Sequence, residues 1–109
     1  MTLKPASFYI LLALADRSRH GYGIMQAVRE RSSGSVTVRT ASFYRHLARL
    51  IEAGLVAESA DRPDDDDPRR GAYYDLTPAG RAALDAERAR LEDLLAAADT
   101  WAPGRGERR

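Results

Sequence analysis

Three stretches of helix-spaced apolar residues precede two short β-branched and aromatic stretches within residues 1–76, and that order leaves few folds open. Pro5 suits the first turn of a helix, where its missing N–H is no loss, and Ala6 to Ala15 runs on as an apolar stretch without a turn residue. This predicts a buried first helix. Asp16 to His20 is polar and turn-like. Gly21-Tyr22-Gly23 then leads into Ile24, Met25 and Val28, whose spacing marks an amphipathic second helix closed by Ser32-Ser33-Gly34-Ser35. Val36-Thr37-Val38 is a minor strand or an extended connection. Thr40 is expected to cap a third helix, with Phe43, Leu47, Leu50 and Ile51 on its buried side and Gly54 at a left-handed C-cap.

Leu55-Val56-Ala57 begins a strand, and Ala72-Tyr73-Tyr74-Asp75-Leu76 reads as the returning strand of a hairpin. Between them Asp61 to Gly71 is dense in Asp, Pro and Arg. Thr77-Pro78 is a cap followed by proline at the first helical position, and Ala79 to Ala98 continues as the longest helix. Its large apolar residues, Leu84, Leu91, Leu94 and Leu95, form a stripe too narrow for a globular core, so the helix is expected to pack on a second copy. Trp101 follows that helix, and the Gly-, Arg- and Glu-rich tail is expected to be disordered. The division is residues 1–76 for the domain, 77–100 for a dimerisation helix and 101–109 for the tail.

With 109 residues, 44% of them hydrophobic, the chain has room for one domain and an appendage. Seventeen basic residues nearly cancel sixteen acidic ones, so a nucleic-acid surface must come from segregation of charge. The absence of cysteine excludes disulfides, thiol nucleophiles and thiolate metal sites. The longest apolar run, Phe8 to Ala15, falls far short of the roughly 20 residues that span a bilayer. A cytoplasmic chain without a membrane partner is expected.

No nucleophile–base pair, paired catalytic carboxylate or phosphate-cradling loop is present, which argues against an enzyme. His20 and His46 are far apart and lack carboxylates at ligand spacing, and Asp64 to Asp67 lack the glycine and distal glutamate of an EF-hand. No metal or other cofactor is expected.

Three helices followed by a hairpin is the order of a winged helix-turn-helix, an α+β but mainly α fold whose third helix enters the DNA major groove. On a helical wheel Ser42, Arg45 and Arg49 lie opposite the Phe43, Leu47 and Leu50 stripe, with Arg39 and Thr40 at the amino end. In an anonymous helix two such arginines would be a solvated face. In this order of elements they are donors placed to read guanine edges and clamp phosphates. Tyr44 flanks the stripe, either packing with its hydroxyl toward a phosphate or belonging to the core.

His20-Gly21-Tyr22-Gly23-Ile24, Phe43-Tyr44 with Leu47, Arg49-Leu50, Gly54-Leu55-Val56, and Tyr74 with Leu76-Thr77 and Gly80 together resemble the PadR regulators over residues 8 to about 95. The single short carboxyl-terminal helix resembles the smaller subfamily. Ala41 replaces the usual Gly, Phe43 the usual Leu and Ile51 a frequent Glu, the last extending the buried face. The resemblance implies a homodimer that represses double-stranded operator DNA and is released by a small hydrophobic or aromatic effector. The family's usual tryptophan lies earlier in the last helix, so that role is not carried to Trp101. Asp64 to Asp67 depart from the basic or neutral wing tip of the family, leaving wing contacts to Arg62, Arg69 and Arg70. An acidic wing also keeps a second reading open, a winged helix used as a protein-interaction adaptor.

Overall fold

Proline at the first position starts α1 (Pro5–Ala13) without wasting a backbone donor, and the helix buries Ile10, Leu11 and Ala13. The computed structural model of the chain describes residues 3–60 and 71–101. After α1 come β1 (Arg19–His20), α2 (Gly21–Arg31), α3 (Thr40–Glu52), β2 (Val56–Glu58), β3 (Tyr73–Leu76) and α4 (Pro78–Trp101). Ile24, Ala27 and Val28 of α2 and Phe43, Leu47 and Leu50 of α3 meet the α1 face in one core, which Leu55, Val56 and Leu84 close. The strands form an antiparallel sheet in the order β1-β3-β2.

Four details differ from the sequence reading. The polar stretch Asp16 to His20 contains β1, which pairs Arg19 with Tyr74 and His20 with Tyr73. Two polar residues carry no alternation to detect; the free edge of β3 makes them a strand. Thr40 is the first helical residue of α3 and not its cap. The N-cap is Arg39, with extended backbone and no side-chain cap bond. Ile51 is 41% exposed, because it stands about 80° around the helix from Phe43, at the edge of the stripe and not within it. Finally, α4 runs through Trp101, which therefore ends the helix instead of following it. Val36 to Val38 form an extended connection, with both valines half-buried against the core.

Gly54 has φ +80°, and the turn after α3 is closed by Gly54 N–H to the Ile51 carbonyl and Leu55 N–H to the Leu50 carbonyl, each 2.9 Å. This paired 5→2 and 6→1 pattern requires the left-handed residue that glycine supplies. The carboxyl end of α1 has no basic residue of its own, so arginines from three other elements donate to its carbonyls. Arg31 Nη1 reaches Leu12 at 3.0 Å, Arg19 Nε reaches Ala13 at 2.6 Å and Arg81 Nη2 reaches Ala15 at 2.8 Å. These cations meet the negative end of the helix dipole and tie α2, β1 and α4 to α1.

Thr77 Oγ1 accepts from the Gly80 N–H at 2.9 Å, the expected cap, and donates to the Gly54 carbonyl at 2.6 Å. The first half of α4 is thereby pinned to the turn after α3. Leu84 is 6% exposed and Glu87 4% exposed, with Glu87 accepting two hydrogen bonds from Arg90 at 2.6 and 3.2 Å. The bond from Arg90 holds the Glu87 carboxyl below its ordinary range against the opposing effect of burial. Leu91, Leu94 and Leu95, by contrast, are 36%, 57% and 64% exposed. The expected stripe is thus divided. Leu84 faces the chain's own core, so the grouping of Leu84 with the dimerisation leucines is corrected. No helix among the described residues is long and apolar enough to cross a membrane.

Candidate nucleic-acid interface

The amphipathic pattern of α3 produces one solvent-facing surface because Phe43, Leu47 and Leu50 anchor the other side in the core. Arg39, Thr40, Ala41, Tyr44, Arg45, Ala48 and Arg49 are exposed, and Ser42 is half-buried. Arg45 and Arg49 are one turn apart and lie on the same side. Arg45 Nη2 donates to Ser42 Oγ at 3.0 Å, which orients the guanidinium along the helix and joins two of the expected readers. Arg39 and Arg49 have no ion pair or side-chain hydrogen bond among the described residues, so their donors are open to a ligand.

Tyr44 resolves between its two readings by being 46% exposed. Its ring meets Phe43 edge-on with centroids 4.9 Å apart, and its hydroxyl lies over the α-carbon of Gly21. A β-carbon at Gly21 would stand 2.4 Å from that oxygen, so glycine there lets the first turn of α2 approach α3. His20 serves as the N-cap of α2, its Nδ1 accepting from the Gly23 N–H at 3.1 Å, and its ring meets Tyr73 edge-on. Among the described residues no group of His, Asp and Glu could hold a metal ion.

His46 lies half-buried on α3, and burial first, then the positive charges of Lys4, Arg49 and Arg45, hold its imidazole below its ordinary 6.5. The unfolded chain therefore takes up this proton more readily than the folded one. His46 contributes its full share of stability above pH 6.5, and that share declines as pH falls from 6.5 toward the lowered folded value. His46→Gln is expected to remove this limb from the stability–pH profile. Urea midpoints measured across the range check it, and parallel profiles for both proteins would exclude His46 as the source.

Arg62, Arg69, Arg70 and Asp64 to Asp67 lie outside the described residues. The readers are therefore brought together on α3 alone. The sequence reading missed Tyr22, Arg29 and Thr37, which line a groove with Met25, Val38 and Thr40 at the amino end of α3. Tyr22, Met25 and Arg29 follow helical spacing on α2, but only the placement of residues 37–40 beside that helix makes them one surface.

Three helices on a small sheet, with an exposed polar face on the third, define a winged-helix DNA-binding regulator. The model of the transcriptional regulator PadR-like family matches residues 10–86, and the chain belongs to that family, whose members are transcription regulators and not enzymes. No curated protein matches the chain. Among solved structures it is similar to a PadR family transcription regulator from Clostridium difficile R20291, with TM-score 0.73, 21% identity, and 90% of this chain and 98% of that one covered. A transcriptional regulator from Clostridium thermocellum gives TM-score 0.72 and 20% identity over 88% of each chain. Bordetella bronchiseptica BpsR, whose DNA binding is regulated by 6-hydroxynicotinic acid, gives TM-score 0.65 and 27% identity over 87% of this chain and 60% of that one.

Proposed function

We propose that the chain is a homodimeric, cytoplasmic repressor that binds operator DNA sequence-specifically and is released by a small hydrophobic or aromatic effector. The observation that carries the DNA reading is the exposed Arg45 and Arg49 pair on a helix whose opposite side is buried. Arg45, Arg49 and Ser42 sample base edges, while Arg39, Thr40 and Tyr44 hold phosphates; Arg69 and Arg70 contribute from the base of the wing. Leu91, Leu94 and Leu95 support the dimer, because three exposed leucines on one helix are an apolar surface in search of a cover. The resemblance to BpsR supports an effector, since that protein's DNA binding responds to a small aromatic acid.

Arg45→Ala and Arg49→Ala are expected to weaken binding to DNA from upstream of the chain's own coding region while leaving the fold intact. Loss of a base contact should reduce discrimination by about 1 to 3 kcal/mol at one position, whereas loss of a phosphate contact should lower the salt slope by about one. Fluorescence anisotropy against this duplex and a scrambled one distinguishes these outcomes. Unchanged affinity in both variants would remove the pair from the interface.

A further inference from the structure

Beside the amino end of α3, Tyr22, Met25 and Arg29 of α2 face Thr37, Val38 and Thr40 across a groove of about 440 Å³. No carboxylate lines it, and the Arg29 guanidinium has no ion pair or hydrogen bond among the described residues. Met25 and Val38 are half-buried, whereas Tyr22, Arg29, Thr37 and Thr40 are exposed. The surface therefore combines an apolar floor with one free cation and three hydroxyl donors.

We infer that this groove seats a stretch of DNA backbone, with Arg29 neutralising a phosphate and Met25 and Val38 packing against deoxyribose. The inference rests on the DNA-binding reading and extends the footprint from α3 onto α2. Charge complementarity selects this occupant: a cation without a protein counterion, flanked by hydroxyls, fits a phosphodiester. Continuity supports it as well. Thr40 belongs both to the groove and to the reading helix, so a duplex that receives α3 in its major groove must carry one strand across the α2 side. The groove is open to solvent, whereas small-molecule sites typically enclose roughly 70–90% of their ligand.

The test uses the full chain, titrated with its upstream DNA and with a scrambled duplex over a range of salt. Arg29→Ala should lower the salt slope by about one on both duplexes alike, since a phosphate contact is blind to sequence. Arg29→Lys should restore most of the slope, because it keeps the point charge. Thr37→Ala and Tyr22→Phe should each weaken both duplexes by a similar, smaller factor. An unaltered slope in Arg29→Ala, while Arg49→Ala still weakens binding, overturns the groove assignment and leaves the DNA reading standing; a groove that holds a small organic ligand gives this result. Failure of the unaltered chain to bind either duplex overturns both. Circular dichroism of each variant separates loss of contact from loss of fold.

Discussion

Gly80→Ala is expected to give a chain whose thermal midpoint collapses or that fails to fold at all. A β-carbon at position 80 would stand 2.0 Å from the Leu55 carbonyl oxygen and 2.6 Å from Leu76 Cδ1. The leucine side chain has other rotamers; the carbonyl has none, since it is backbone at the start of β2 and accepts the Thr77 N–H at 3.1 Å. Relief therefore requires the whole first turn of α4 to withdraw. That withdrawal breaks the Thr77 bond to Gly54 and lifts Leu84 from the core. Ordinary overpacking costs about 1 to 3 kcal/mol, and a clash against backbone belongs at the top of that range or above it. Calorimetry on Gly80→Ala beside Ala79→Gly gives the comparison. Ala79 is exposed one residue away, so a similar small change in both would mean that the close approach is not the reason for glycine.

Replacing Leu91, Leu94 and Leu95 together by Glu is expected to yield a folded monomer. Each leucine covered by a second copy contributes on the order of 1.5 kcal/mol, and the loss is counted on both protomers. Placing glutamates there adds like-charge repulsion across the two-fold axis. The same substitutions should spare the domain, because all three residues are already exposed in the single chain. Deleting everything after Thr77 would be a poorer test, since it also removes Leu84 from the core and Arg81 from the Ala15 carbonyl. Sedimentation of the triple variant should show the monomer mass with an unchanged helical spectrum. DNA affinity should fall steeply as well, because a single reading helix loses the effective concentration that its partner provides. An unaltered dimer would move the interface elsewhere, with exposed Ile51 as the next surface to substitute.

How much of this was legible depends on whether each feature rests on local or distant chemistry. The three helices, the Gly54 turn and the Thr77-Pro78 start of α4 follow from apolar spacing and from backbone conformations that few residues tolerate. Arg45 and Arg49 were legible for the same reason, since the wheel that buries Phe43 exposes them. β1 was not, because its two residues are strand only by pairing with Tyr73 and Tyr74, more than fifty positions away. The division of the leucine stripe was equally hidden: Leu84 and Leu91 share a period on the helix, and nothing local says that α1 covers one and ends before the other.

The amino-acid sequence by itself determined the element order, the buried face of each helix, the turn glycines and the face that α3 offers to DNA, because each is set by residues within a turn or two of one another. Tertiary structure alone decided the third strand, the arginine clamp on the end of α1, the contact that forbids a side chain at position 80, and the groove joining α2 to residues 37–40. Those features arise where distant segments meet, and the geometry of such meetings depends on how all the packed side chains fill space together.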